Sequence, residues 1–162
     1  MQMETIYAKG MKLTLHTDYA LRVMIHLAAR GGDLTSIGQV ARLYGVSQNH
    51  LMKVVQSLGQ GGFIETIRGR HGGIRLARPA DEIKLGALIR HTEGCNPLIE
   101  CQGCLIAPAC DLQGILAEAM QAFMQVLDRY NLADLIVRKQ DLRFLFGLDN
   151  EAPLLGQIRP AN

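Results

Sequence analysis

"SIGQVARLYGVSQNHLMKVVQSLGQGGFIETIRGRHGGIRLAR", residues 36–78, decides the fold. Ser36 is placed to cap a short helix, IGQVARLY, whose Ile37, Val40, Ala41 and Tyr44 share one face. Gly45 ends it. Ser47 is placed to cap the next helix, QNHLMKVVQSL, with Leu51, Met52, Val54, Val55 and Leu58 as its apolar set. Two such helices across a tight Gly-Val-Ser turn predict a helix-turn-helix. FIETIRG and IRLAR then favour strands, and the glycine-rich GRHGG between them predicts a hairpin turn. A helix-turn-helix followed by a basic hairpin is the winged variant. The expected fold is mainly α with one small β-hairpin.

Working outward, DYALRVMIHLAAR reads as an earlier helix with Ala20, Met24, Leu27 and Ala28 inward, capped by Thr17 and stopped by Gly31-Gly32. IKLGALIRHTEG resumes helical spacing through Leu85, Leu88 and Ile89. Further on, LQGILAEAMQAFMQVLDRY places Leu112, Ile115, Leu116, Ala119, Phe123, Val126, Leu127 and Tyr130 on one stripe. That stripe is too long to serve only as a lid on a small winged helix. It is expected to pack on its copy in a homodimer. The domain plan is a flexible extension at 1–10 and a DNA-binding domain at 11–92. A cysteine loop at 93–110, a dimerisation segment at 111–138 and a partly disordered tail at 139–162 follow.

Length and composition, 162 residues with 48% hydrophobic, suit one folded domain with an appendage. No apolar run approaches the length of a membrane span, and the first ten residues lack a signal-peptide h-region, so a cytoplasmic protein is expected. The net charge of +2 is unevenly placed. Residues 11–90 hold eleven Lys and Arg against five Asp and Glu, whereas residues 91–162 hold five against nine. A basic first half favours a polyanion, and nucleic acid is the default candidate. Ser47, Gln48, Asn49, His50 and Lys53 lie at the N-terminal end of the predicted recognition helix, the end that meets base edges in a major groove. Arg68, Arg70, His71 and Arg75 surround the glycines of the wing, where arginine suits a narrow minor groove. The partner expected is double-stranded DNA, as a palindromic operator for a dimer.

All four cysteines fall in CNPLIECQGCLIAPAC, residues 95–110, spaced C-x5-C-x2-C-x5-C. In a reducing compartment such a cluster favours metal or redox chemistry over structural disulfides. Soft thiolates suit zinc or an iron–sulfur cluster, either 4Fe–4S or 2Fe–2S, and the residues alone leave these open. The Ile, Leu and Pro around them would give a cluster an apolar pocket.

MKLTLHTDYALRVMIHLA, the wing GRHGGIRLARPADEIKLGALIRHTEG and LIEC…CLIAPACDLQGILAEAMQAFMQVLDRYNLADLI together resemble the winged-helix iron–sulfur transcriptional repressors. The resemblance runs over 11–137, and AFMQVLDRYNLADLI is most similar to the nitric-oxide-sensing branch of that family. It implies a dimer crossed through long C-terminal helices, with three cysteines per chain holding a cluster. It also implies a fourth, acidic ligand from the partner's first helix, which matches Asp18 here. On residues alone, Asp18 is a first-turn acid favourable to the helix dipole. Cys104 and Cys110 keep the family's five-residue gap, but only two residues separate Cys101 from Cys104. Either that loop is contracted, or Cys95 replaces Cys101 as first ligand, or all four cysteines ligate without Asp18. The expected function is a repressor that senses nitric oxide or redox stress. Alternatives are an iron- or redox-responsive regulator of the same family, a zinc-stabilised DNA-binding module, and an iron–sulfur electron carrier. No Rossmann glycines, phosphate loop or nucleophile–base pair marks an enzyme.

Overall fold

The protein is described here from a computed structural model, in which residues 12–94 and 97–150 are described. The helices are α1 (Leu15–Arg30), α2 (Ile37–Tyr44), α3 (Gln48–Gln60), α4 (Leu85–Glu93), α5 (Leu112–Asp128) and α6 (Lys139–Leu145). A hairpin of β1 (Ile64–Ile67) and β2 (Gly73–Leu76) lies between α3 and α4. Short 3-10 turns occur at Ala80–Glu82, Ala107–Ala109 and Leu132–Ile136.

Local sequence explains the boundaries. Ser36 caps α2 in a reciprocal box with Gln39, and Gly45 closes the helix at φ 64°. Thr14, not Thr17, is the N-cap of α1: its hydroxyl accepts from the Thr17 N–H. Thr17 lies one turn inside and is fully buried, because its hydroxyl donates to that of Thr92 at 2.9 Å. Ser47 occupies the N-cap position of α3, but its hydroxyl makes no capping bond.

Helices α1, α3 and α4 surround one core, in which Met24, Leu27, Val40, Leu51, Leu58, Ile74, Ile83 and Leu88 are buried. The hairpin is antiparallel with Glu65 opposite Arg75 and Thr66 opposite Ile74. A backbone bridge from Thr35 to Ile74 ties it to the segment before α2. Gly72 is required by the turn: a Cβ there would lie 2.1 Å from the Ile67 carbonyl oxygen.

Helix α5 behaves differently: not one of its residues is buried. Leu116, Met120, Met124 and Leu127 are half-buried along one side, and at the far end the Asp128 carboxylate accepts two hydrogen bonds from the Arg90 guanidinium of α4. The chain then returns, with Leu85 N–H donating to Tyr130 C=O and Leu132 N–H donating to Ile83 C=O. Leu132 is fully buried in the core.

The weak pattern beyond Lys139 carries more order than the sequence indicates. α6 docks against α1, and Arg143 donates to the Ala29 carbonyl at 3.2 Å while pairing with Asp149. Phe146 then packs on the buried His26 with tilted rings, 4.8 Å between ring centres. The expected extension at 1–10 and the end of the expected tail, 151–162, lie outside the described residues.

Candidate nucleic-acid interface and cysteine loop

The first candidate surface is built by α3 and the wing. Ser47, Gln48, Asn49, His50 and Lys53 are all exposed at the start of α3, while Leu51, Val54 and Val55 on the opposite face anchor it in the core. The ring of His50 meets Tyr19 of α1 edge-on at 5.9 Å, which fixes its orientation. At the wing tip Arg68, Arg70 and His71 are exposed. Arg75 is not grouped with them. It sits in β2, partly buried, and forms an ion pair with Glu65 across the hairpin. Its guanidinium is already engaged, a point the sequence could show only once the register was known.

The second candidate site is the segment between α4 and α5. Cys101 and Cys110 are half-buried, Cys104 is exposed, and all three are free thiols. Cys95 lies outside the described residues. The Cys104 N–H donates to the Cys101 carbonyl at 3.2 Å, closing a turn in which Gly103 takes φ 78°. The chain continues through Ala107, whose N–H donates to the Cys104 carbonyl, into the 3-10 turn that delivers Cys110 to the start of α5. The donor chemistry suits a soft metal centre: unpaired thiols, reachable from solvent. Within one chain they do not converge. Among the described residues, no three Cys, His, Asp or Glu side chains form a group able to hold a metal ion. The apolar pocket expected around the cysteines is also not closed within one chain, since Leu105 is 95% and Ile106 61% exposed.

Asp18 lies in the first turn of α1, where its two carboxylate oxygens accept from Arg22 at 3.1 Å each. Both side chains are more than a third exposed, so this pair is weak and easily exchanged for another partner.

Sequence reasoning missed the connection between these parts. Thr14 N–H and its hydroxyl both donate to Glu93, at 2.7 and 3.0 Å. With the Thr17–Thr92 bond, these contacts clamp the N-terminus of α1 to the end of α4, directly before the cysteine segment. Burial would raise the Glu93 pKa, but hydrogen bonds from Thr17 and Thr14 hold it below the ordinary carboxylate value. No local pattern announces this clamp, because its partners lie 75 and 79 residues apart.

A winged helix-turn-helix joined through a thiol-rich segment to an apolar helix with no buried residue defines a class: a DNA-binding transcriptional regulator. Residues 13–138 match the Rrf2 family, iron-dependent transcriptional regulators, and the chain belongs to that family. It is 49% identical over 138 residues to the HTH-type transcriptional regulator NsrR of Bacillus subtilis, covering 82% of this chain and 94% of that one. It is 46% identical over 141 residues to NsrR of Geobacillus kaustophilus, covering 83% and 96%. Among solved structures, it is similar to CymR (YrzC), the global cysteine regulator of B. subtilis, at a TM-score of 0.62 and 31% identity, covering 77% and 95%. The IscR of T. potens matches at a TM-score of 0.62 and 26% identity, covering 78% and 87%. Among the described residues, no helix is long and apolar enough to cross a membrane.

Proposed function

We propose that this protein is a homodimeric transcriptional repressor whose cysteine loop holds an iron–sulfur cluster and so couples nitric oxide or redox stress to operator affinity. The observation that carries this reading is the position of three free thiols, Cys101, Cys104 and Cys110, in the segment that joins α4 of the winged domain to helix α5. The NsrR name of the relatives supports the choice of nitric oxide as signal. When bound, the cluster supplies iron that reacts with nitric oxide or other oxidants.

The chain's own residues do the rest. Cys101, Cys104 and Cys110 would hold the cluster, and Asp18 of the partner's α1 would complete the set after leaving Arg22. Cys95 is the alternative first ligand. A loop closed on a metal fixes the start of α5 relative to α4. The Thr17–Thr92 and Thr14–Glu93 contacts pass that position to α1, against which His50 of the recognition helix rests. Two half-sites on one DNA face have a fixed spacing, so a small change in the separation of two recognition helices weakens both contacts together. Gln48, Asn49 and His50 read base edges in this scheme. Ser47, Lys53, Arg68, Arg70 and His71 contact phosphate or the minor groove. Arg75 joins them only by exchanging Glu65 for a phosphate.

The test is anaerobic purification followed by metal analysis and a visible spectrum. Iron, sulfide and visible absorption are expected, and all should be lost in Cys104→Ala and Cys110→Ala. Zinc without colour would replace this reading with a zinc-stabilised DNA-binding module.

A further inference from the structure

We propose that Cys101 and Cys104 are a dithiol redox pair that, in the metal-free protein, closes into a disulfide by exchange with a low-molecular-weight disulfide. The turn Cys101-Gln102-Gly103-Cys104 brings the pair together. Its closing hydrogen bond, Cys104 N–H to Cys101 C=O at 3.2 Å, makes it a β-turn. A β-turn keeps its first and fourth Cα atoms within about 7 Å. A disulfide needs a Cα separation of about 4.4–6.8 Å. The left-handed φ of 78° at Gly103 is the value a type II turn takes at its third residue, where glycine is unstrained. The turn is therefore built without a cost that disulfide formation would have to overcome.

Access assigns the roles. Cys104 is exposed and Cys101 half-buried. The Cys104 thiolate attacks one sulfur of the small disulfide, forming a mixed disulfide and releasing one small thiolate. The Cys101 thiolate then attacks Sγ of Cys104, forming the Cys101–Cys104 bond and releasing the second small thiolate. Two electrons pass from the cysteines to the small disulfide, and the two protons go to the released thiolates. Gln102 and Gly103, the two residues between the cysteines, are both exposed.

The regulatory consequence rests on the cluster reading above: a closed pair withdraws two donors, so the loop cannot be reloaded until it is reduced. The disulfide itself does not need that reading.

The experiment uses full-length protein stripped of metal under anaerobic conditions and titrated with glutathione disulfide. Free thiols are capped with iodoacetamide, the sample is reduced, and newly freed thiols are labelled with N-ethylmaleimide before mass spectrometry. The expected product has lost two hydrogens and carries the second label on Cys101 and Cys104 alone, with Cys95 and Cys110 capped first. Cys101→Ser should instead stop at one glutathione per chain, on Cys104. The second label on any other pair, a bond joining two chains, or a lasting glutathione adduct on the unsubstituted protein overturns the proposal. If the mapping succeeds but Cys104→Ala keeps the cluster absorption, the cluster reading fails and the dithiol pair stands. If the absorption is lost but the mapping fails, only the dithiol pair falls.

Discussion

The hydroxyl of Thr17, fully buried in α1, donates to the hydroxyl of Thr92 in the last turn of α4 at 2.9 Å. Thr92 in turn donates back to the Leu88 and Ile89 carbonyls of its own helix. The pair ties the first helix to the exit of the domain, one residue before the end of α4. Replacing Thr17 by valine keeps the shape and removes the bond. The expected loss of folding stability is about 1 kcal/mol, with an unchanged urea m-value. A loss within error would mean that the clamp carries no load.

Two groups make stability fall in acid. Burial, reinforced by the charge of Arg30, lowers the pKa of His26 to about 4. The folded state therefore holds it neutral while the unfolded chain protonates near 6.5. Its contribution is complete above 6.5 and is lost as pH falls from there to about 4, by at most about 3 kcal/mol. Glu93, also depressed, contributes above the ordinary carboxylate pKa and loses that contribution as pH falls through its lower folded value. Both ring nitrogens of His26 lack a hydrogen-bond partner among the described residues, so His26→Phe should leave stability at pH 7 unchanged or higher. Urea midpoints at a series of pH values should show a flatter acid limb for His26→Phe, and a smaller flattening for Glu93→Gln.

Gly86 and Asp128 are coupled. A Cβ at Gly86 would lie 2.0 Å from Oδ1 of Asp128, which holds Arg90. Gly86→Ala should therefore displace the carboxylate and loosen α5 from α4. In an Asp128→Ala background the collision is absent, and alanine should stabilise α4 by roughly 0.5–1 kcal/mol over glycine. A double-mutant cycle by denaturation checks this: additive effects would contradict the close approach.

Helix α5 exposes Leu112, Ile115, Phe123 and Val126, each between 43% and 60%. If a second copy covers this face, Ile115→Lys with Phe123→Asp should give a folded monomer by light scattering. Its circular dichroism should be intact and its DNA affinity at least about tenfold weaker, as two linked half-sites bind far more tightly than one. An intact dimer would place the interface elsewhere.

The winged domain was legible because its signals are local: the Ser36–Gln39 box, Gly45, and a hairpin around glycines. The apolar stripe of α5 was equally readable, and among the described residues none buries a side chain of that helix. Thr14 displaced Thr17 as the cap because Thr17 is recruited into a bond with a residue far along the chain. Arg75 was counted as a free wing cation because the Glu65 opposite it appears only once register is fixed. α6 was missed because its anchors, Ala29 and His26, lie on a helix more than a hundred residues earlier. The cysteines were visible as a set, yet among the described residues no three Cys, His, Asp or Glu side chains form a group able to hold a metal ion, and no local sequence pattern fixes how distant donors converge.

The most direct test of the account is the affinity of the cluster-loaded protein for a duplex selected by it from a random pool, measured anaerobically before and after nitric oxide. The account predicts at least about tenfold weaker binding after treatment, a change of about 1.4 kcal/mol, and no response in a Cys104→Ala protein. Equal affinity before and after, with the cluster shown to be lost, would contradict it.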